Sequence, residues 1–380
     1  MSSRNKRAAV FLFVVLTSLS AVLTCSLSTQ AVKNSGATLE LRREPAAKSG
    51  DVHVFSSEDL SIHFLELGNR YTGDCVYIKY GDIDMIIDAG SKQASAAAIK
   101  TYLDNYIQDN KLEYVIATHA HEDHIAGFNS GENVTGILES YEIGLIIDFP
   151  NTNSNTVTYR NYLETRGRAV ANGASHYTAL QCYRNEDGAQ RIYDFGGGVQ
   201  LEVLYNYYYE NHTRRENNYS VCVRINQNGT YYLFTGDLER RGERRLVEYY
   251  EENYGGLGKC ALFKGAHHGS NSSGTELLMA AIKPEYIVVC TCAGSAEYMA
   301  RPENIFPSQG FIDRAAPYTD KIYITTIVPD YDNNVFMSLN GNVIFLVSQG
   351  DISILCSNND TILKDTRWFR DNRRMPPEWL

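Results

Sequence analysis

"EYVIATHAHEDHIAGF", residues 113–128, is the stretch that decides the fold. It begins with an uncharged run of the kind that forms a short buried strand. His119, His121, Asp123 and His124 follow within six residues, in a chain that has only nine histidines. Neutral imidazole and carboxylate groups suit zinc, and also iron or manganese. The stretch therefore predicts a metal centre at the exit of a strand, with the two early histidines holding one ion and Asp123 with His124 holding a second.

The composition indicates a folded, acidic protein. Of the 380 residues, 43% are hydrophobic, which is typical of a globular chain and not of a disordered one. This length is enough for one large domain or two ordinary ones. The formal net charge of −10 argues against a surface that coats nucleic acid, although a local basic groove is compatible with it. Nucleic acid is therefore a disfavoured partner.

The N-terminus predicts an export signal. Three basic residues precede an apolar stretch at 8–23, and small residues follow it, so we assign residues 1–31 to a signal peptide. The apolar stretch is shorter than a comfortable membrane span, so no stable span is expected. The protein is predicted to be secreted or extracytoplasmic. Retention at the cell surface, through an uncleaved segment or a lipid on Cys25, is the alternative.

The remaining seven cysteines do not predict a disulfide framework. Their number is odd, and most of them lie in apolar, strand-like runs. Cys290 and Cys292 lie two residues apart in such a run, and are predicted to be small buried side chains.

Strand-like runs alternate with amphipathic segments in both halves of the chain. Helices are predicted at 95–109, 156–171, 238–253, within "GTELLMAAI", and near 302–314. The second half repeats the order of the first. This pattern is typical of two β-sheets packed face to face with helices outside, so the predicted fold is an α/β, four-layer αββα sandwich.

The predicted domain organisation follows from these segments. A polar linker at 32–58 precedes the main domain at 59–315, which contains the motifs considered next, and a β-rich C-terminal extension at 316–380 is predicted to pack on that domain. Within the extension, "FMSLNGNVIFLV" predicts a β-hairpin that turns at Asn340 and Gly341.

The motifs together resemble the metallo-β-lactamase superfamily, whose fold is the same αββα sandwich. The pattern HxHxDH at 119–124 resembles the signature of that family, and "IIDAG" resembles its first motif, in which Asp88 would support the metal ligands from behind. "FTGD" resembles the fourth motif, with Asp237 as the carboxylate that bridges both metals, and "AHHGS" at 266–270 resembles the last histidine motif. The resemblance covers roughly residues 60–315.

Within the superfamily, the likeness is to the hydrolase domain of ComEC-type competence proteins and related secreted esterases. It rests on "NNYSVCVRI", "YLFTGDL" and "HHGSNSS" together. The resemblance implies two zinc ions, with manganese or iron as alternatives. The ligands that it implies are His119, His121, Asp123, His124, Asp237 and His267.

Several further roles follow from the resemblance and from metal chemistry. Asp123 and His268 are the predicted catalytic residues, because His268 would donate to a phosphoryl oxygen or protonate the leaving group. The roles of His267 and His268 are also open to exchange, since neighbouring residues at a strand end differ only in direction. Ser270 and Asn217 are predicted to bind substrate.

One position departs from the family pattern. The third histidine of the first metal site is expected just before Tyr219, but the sequence there is Glu-Asn-Asn. The first site is therefore under-ligated, or it uses Asn217, His212 or the more distant His176. The last two are more often ordinary loop residues than ligands.

The resemblance implies hydrolysis of phosphodiester or phosphoester bonds, in a small molecule, a lipid head group or a polymer. A metal-bound water loses a proton near neutral pH, and would supply the nucleophile. β-Lactamase activity is not expected, because enzymes of that branch usually have cysteine where Asp237 stands. The alternatives are an extracellular nuclease of the ComEC type and a catalytically weak binding module that kept the fold.

Overall fold

The computed structural model describes residues 53–298 and 301–380. The predicted signal peptide (1–31) and the predicted linker as far as residue 52 lie outside the described residues. None of the helices in the described part of the chain has the length and hydrophobicity of a membrane span.

The secondary structure alternates between strands and helices as the sequence predicts. The strands are β1 (Leu60–Phe64), β2 (Val76–Tyr80), β3 (Ile83–Ile87), β4 (Lys111–Ile116), β5 (Glu142–Asp148), β6 (Ser175–Thr178), β7 (Ile192–Gly196), β8 (Val199–Val203), β9 (Val223–Gln227), β10 (Thr230–Phe234), β11 (Cys260–Lys264), β12 (Tyr286–Ala293), β13 (Ile322–Asp330), β14 (Val335–Ser338), β15 (Val343–Ser348) and β16 (Asp351–Cys356). The α-helices are α1 (Ser95–Leu103), α2 (Glu122–Ile125), α3 (Ile137–Ser140), α4 (Val157–Ala171), α5 (Ala179–Arg184), α6 (Arg240–Tyr254), α7 (Glu276–Ile282), α8 (Gln309–Ala315) and α9 (Arg367–Asn372).

The strands form two mixed sheets of eight strands each. The order in the first sheet is β16-β15-β1-β2-β3-β4-β5-β6, and in the second it is β14-β13-β12-β11-β10-β9-β8-β7. Strands β3 to β6 run parallel in the first sheet, and β10 to β13 run parallel in the second. The other pairs are antiparallel, so the two sheets have the same plan.

The two sheets pack face to face through aromatic side chains. The ring centroids of Phe64 in β1 and Phe234 in β10 lie 6.5 Å apart, and those of Tyr232 in β10 and Phe345 in β15 lie 5.6 Å apart. Because side chains alternate along a strand, Leu233 points to the opposite face from its neighbours. It packs there into a second hydrophobic cluster.

Helices cover the outer faces. Leu246, Val247 and Tyr250 of α6 pack with residues of α7, α8 and α9 on the second sheet, while Ile99 and Leu103 of α1 belong to the hydrophobic cluster that contains the first sheet. The predicted αββα sandwich is thus confirmed.

Two predicted helices are shorter than their patterns suggest. α1 ends at Leu103, where the side chain of Asn105 donates to the backbone carbonyl of Thr101 and competes with the helical bonds. The segment near 302–314 contains a 3₁₀ turn, Pro302–Asn304, and then α8, because Pro307 cannot continue a helix.

The prediction of a β-hairpin that turns at Asn340 and Gly341 is wrong. β14 pairs with β13 in the second sheet, whereas β15 pairs with β1 in the first, so the chain crosses between sheets at this turn. Asn340 fixes the crossing, because its Oδ1 accepts from the backbone N–H of Ile324 and its Nδ2 donates to two carbonyls. Residues 316–380 therefore supply strands to both sheets.

All seven cysteines of the described residues are free, and six of them are buried. Cys290 and Cys292 are among the buried ones, as the sequence predicts.

Candidate metal centre

The centre lies where the carboxyl ends of parallel strands from both sheets meet. Asp88 follows β3 and Thr118 follows β4 in the first sheet, while Asp237 follows β10 and His268 follows β11 in the second. The backbone N–H of Val221 donates to the carbonyl of Thr118 at 2.8 Å and joins the loops of the two sheets. Residues far apart in the sequence are therefore brought to one edge of the sandwich.

His124 is held in one orientation by Asp88. Its Nδ1 lies 2.7 Å from Asp88 Oδ2, which also accepts from the Thr118 hydroxyl at 2.7 Å. Since a carboxylate accepts, Nδ1 of His124 carries a proton and Nε2 is the nitrogen available to a metal. Asp88 thus has the supporting position that the sequence predicts for it.

His268 is oriented in the same way by different groups. Its Nδ1 donates to the backbone carbonyl of Cys290 at 2.9 Å and lies 3.1 Å from Asp74 Oδ1. Both neighbours are acceptors, so Nδ1 carries a proton here too and Nε2 faces the centre.

The two Nε2 atoms point at the same carboxylate, that of Asp237, and His268 also faces Asp123. Asp237 Oδ2 lies 3.2 Å from His124 Nε2 and 3.4 Å from His268 Nε2, and Asp123 Oδ2 lies 3.3 Å from the latter. Ligand atoms of Asp74, His124, Asp237 and His268 lie within 4.8 Å of one another, and all four side chains are buried.

A divalent cation fits this set of donors. Among the described residues, His124 Nε2, His268 Nε2 and Asp237 Oδ1 are buried without a hydrogen-bond partner. Such atoms are costly unless something binds them. The two imidazoles, with the carboxylates of Asp123 and Asp237 on their Nε2 side, are the kinds of donor that zinc, iron or manganese accept.

His119 and His121 lie at the side of this cluster. His119 is fully buried with its ring centroid 4.1 Å from that of His124, and its Nε2 lies 3.0 Å from Nδ1 of the exposed His121. The two nitrogens converge as ligands of one ion would. Occupancy of this first metal position stays a prediction.

The structure places His268, and not His267, inside the cluster, so the predicted assignment of the ligand to His267 is revised. His267 is half-buried, and its Nε2 lies 3.8 Å from Asp237 Oδ2. Its ring contacts Ser272 Oγ at 3.1 Å and Asn217 Nδ2 at 3.3 Å. His267 therefore has the pocket-facing position that the sequence analysis assigned to His268.

Ser270 and Asn217 both lie near His267. The hydroxyl of Ser270 is 3.0 Å from that of Ser272, and Nδ2 of Asn217 is also 3.3 Å from Glu239 Oε1. Whether they bind substrate stays a prediction.

The two distant histidines considered for the first site have other partners. His176 Nε2 lies 2.9 Å from Asp148 Oδ1, and His212 Nδ1 lies 3.2 Å from the hydroxyl of Tyr219. Each is accounted for as an ordinary structural contact.

One part of the chain matches a known protein family. Residues 68–145 match the metallo-β-lactamase superfamily. The resemblance that the motifs predict is thereby confirmed.

Competence-related proteins are among the relatives of this chain. It is 40% identical to competence protein ComA of Neisseria gonorrhoeae over 73 residues, which are 19% of this chain and 10% of that protein. It is 23% identical to recombination protein 2 of Haemophilus influenzae over 207 residues, which are 54% of this chain and 21% of that protein. The chain thus spans about a tenth of the length of the first relative and about a fifth of the second.

Solved structures of the superfamily are more distant. The metallo-β-lactamase fold protein YhfI of Bacillus subtilis has a TM-score of 0.36 and 11% identity, and the alignment covers 71% of this chain and 96% of YhfI.

Charges within the centre are strongly coupled. Burial lowers the pKa of His268, but Asp237 and Asp74 outweigh burial and raise it to about 10. Burial also lowers the pKa of His124, yet Asp237 and Asp88 raise it well above its usual range. Without a cation, protons on the imidazoles balance the carboxylates. Binding of a cation would replace those protons, so metal affinity should rise with pH.

Backbone strain is concentrated at this edge. Asp88, His267 and His268 have φ angles of 59°, 48° and 54°, in the left-handed region that non-glycine residues seldom occupy. Such conformations persist where the surrounding structure fixes them, which is common at functional sites.

Two residues of the centre have no counterpart in the sequence analysis. Asp74 is a single acidic residue before β2, and Lys264 is the last residue of β11. The available signal was Lys264 itself, because a lysine inside the apolar run "CALFKG" is rarely buried unless it is paired. Asp74 gave no comparable signal.

Proposed function

We propose that this protein is an exported, metal-dependent hydrolase that cleaves phosphodiester or phosphoester bonds. The observation that carries the proposal is the convergence of Asp123, His124, Asp237 and His268, from both sheets, on one buried point with unpaired donor atoms. The imidazole and carboxylate atoms approach one another at 3.2–3.4 Å, but Nε2 of His124 and Nε2 of His268 make no hydrogen bond, so a cation between them would satisfy both.

When bound, a divalent cation supplies a Lewis acid and lowers the pKa of a water molecule. The residues of this chain do the remaining work. Asp88 fixes the orientation of His124, and the carbonyl of Cys290 fixes that of His268. His267 reaches the side of the centre that is open to solvent, where its ring can donate a hydrogen bond to a substrate oxygen or to the leaving group.

An aromatic wall closes one side of the centre. The ring centroid of Phe306 lies 5.8 Å from those of both His267 and His268, and Tyr298 lies 6.2 Å beyond it. Exclusion of water by this wall strengthens the electrostatic interactions around the reacting bond.

The preference for phosphate esters rests on the chemistry of the donors. Asp237 gives the centre a hard oxygen ligand between the two sheets, and hard ligands suit metals that bind phosphate oxygens. The expected substrates are a small molecule, a lipid head group or a polymer. The names of the relatives, competence protein and recombination protein, make DNA the polymer to test.

The test compares two neighbouring histidines in the full chain. Hydrolysis of bis-nitrophenyl phosphate and of single- and double-stranded DNA is measured together with bound zinc, manganese and iron. We expect His268→Ala to lose bound metal and at least ~100-fold in kcat/KM. The variant His267→Ala should still bind the metal but should have a lower kcat.

The exposed His212→Ala is the matched control, and should behave as the wild type. A wild-type protein that binds metal but hydrolyses none of these substrates would favour the binding-module alternative. Equal loss of metal in His267→Ala and His268→Ala would contradict the assignment of ligands.

A further inference from the structure

Lys264 is a buried ammonium group beside the metal centre. Only 2% of the residue is exposed. Its Nζ forms an ion pair with Asp74 Oδ2, donates to the carbonyl of Gly236 at 3.4 Å and lies 3.9 Å from Asp237 Oδ1. Because an isolated buried charge is very unfavourable, the position of Lys264 requires a carboxylate beside it.

Asp74 lies between this lysine and the metal centre. One of its oxygens contacts Lys264, and the other lies 3.1 Å from Nδ1 of His268. An oxygen of Asp74 is also 3.7 Å from Nδ1 of His124. Asp74 is therefore on the Nδ1 side of both imidazoles.

Asp123 and Asp237 lie on the other side of the His268 ring. Both are within 3.4 Å of Nε2 of His268. The two nitrogens of an imidazole direct their proton and lone pair toward different edges of the ring. A cation held by Nε2 of His268 therefore lies on the opposite edge from Asp74, although Asp74 is close enough to be considered a ligand.

We propose that Asp74 and Lys264 form a positioning pair. The charge of Asp74, together with the carbonyl of Cys290, keeps Nδ1 of His268 as a donor so that Nε2 faces the cation, and Lys264 balances the charge of Asp74. Asp88 accepts the Nδ1 proton of His124, whereas the Nδ1 proton of His268 is donated to the carbonyl of Cys290 and Asp74 adds its negative charge beside it at 3.1 Å. Lys264 also prevents Asp74 from turning toward the cation as a further ligand. This proposal rests on the metal centre of the proposed function.

Charge balance supports this division of roles. Asp74, Asp88, Asp123 and Asp237 are four buried carboxylates that surround two imidazoles. Asp74 and Asp88 contact the imidazoles through Nδ1 atoms, and the ammonium of Lys264 neutralises Asp74. The negative charge that remains is thereby concentrated on the side where a cation binds.

The experiment measures cobalt binding and not hydrolysis. Co²⁺ affinity is determined by competition with a chelator, and the visible absorption of bound Co²⁺ reports the number of ligands. The main variant is Asp74→Asn/Lys264→Met in the full chain, since removal of both charges leaves no unpaired buried ion. Lys264→Met alone is the second variant.

We expect the double variant to bind Co²⁺ about 10–100-fold more weakly, with the absorption spectrum of the wild type, as for other groups that orient a metal-binding histidine. Lys264→Met alone should change the spectrum, because the unpaired Asp74 becomes free to bind the ion. The matched control is Asp84→Asn/Lys79→Met, a pair 3.0 Å apart at the opposite end of β3, and it should leave affinity unchanged.

Unchanged affinity in a folded double variant would show that the pair is only structural, and would overturn the proposal. A spectrum with fewer ligands in the double variant would show instead that Asp74 is itself a ligand, which also overturns it. Wild-type protein that binds Co²⁺ without hydrolysing phosphate esters would refute the proposed function and leave the positioning pair intact. Wild-type protein that binds no Co²⁺ would overturn both.

Discussion

Because His63 is buried in its neutral form, we expect the folded protein to lose stability in mild acid. It lies in β1 and is fully buried, with Nδ1 at 2.7 Å from the hydroxyl of Tyr102 and Nε2 at 2.8 Å from that of Ser61. Burial, assisted by the nearby charges of His53 and Lys79, lowers its pKa from 6.5 to about 3. The folded protein therefore keeps this imidazole neutral where the unfolded chain would protonate it.

The direction in which stability changes with pH follows from proton linkage. Because the folded pKa is lower than the unfolded one, the unfolded state binds more protons below pH 6.5, and stability falls as the pH falls through that range. For a folded pKa of about 3, the loss is about 2 kcal/mol at pH 5 and close to zero at pH 7.5. If the pKa in the folded state were one unit higher, the loss of stability at pH 5 would be almost the same.

The assay is urea unfolding at pH 7.5 and pH 5 with a chelator present. His63→Gln retains hydrogen-bonding groups but does not titrate, so we expect it to lose about 2 kcal/mol less than the wild type between the two pH values. His212→Gln, which replaces an exposed histidine, should lose as much as the wild type. If His63→Gln and the wild type lost the same free energy of unfolding between pH 7.5 and pH 5, His63 would not be the source of the acid sensitivity.

Two further predictions concern the metal centre. A Cβ on Gly90 would lie 1.6 Å from the carbonyl oxygen of Asp123, so Gly90→Ala should displace the metal-binding loop, cost roughly 1–3 kcal/mol of stability and reduce bound zinc. Gly167→Ala in α4, where no atom lies within 4 Å of the new Cβ, is its control. Because the centre joins both sheets, zinc at ~1,000 times its Kd should raise the free energy of unfolding by about 4 kcal/mol. A chelator should abolish this increase. Thermal unfolding that is identical with zinc and with chelator would contradict a cation between the sheets.

Much of the centre could be predicted because its residues directly follow apolar strands. His119, Asp123 and His124 are in a short motif, and Asp237 directly follows β10. The strand-helix order also predicted the sandwich, since apolar runs of this length must bury both faces.

Other features depend on three-dimensional contacts that no local pattern encodes. The choice between His267 and His268 is made by two consecutive left-handed backbone conformations, which aim one ring at Asp237 and the other at Ser272. Asp74 acquires its place only because β11 and β12 bring Lys264 and His268 beside it.

The turn at Asn340 and Gly341 shows that a local turn signal does not decide which strands pair. Asn-Gly between two β-type runs is a strong local signal for a hairpin. Here the two strands found other partners, β13 and β1, and the turn became a connection between sheets. Tertiary pairing thus overrode a local preference.

The pairing of β1 with β15 has a consequence for how the protein is made. The backbone N–H of Glu66 donates to the side chain of Asn342, across 276 positions of the sequence. During synthesis, this edge of β1 stays open until β15 has emerged, and contacts of such long range form slowly. A truncated product that stops before β15 would present a bare strand edge, which is a template for association with other chains.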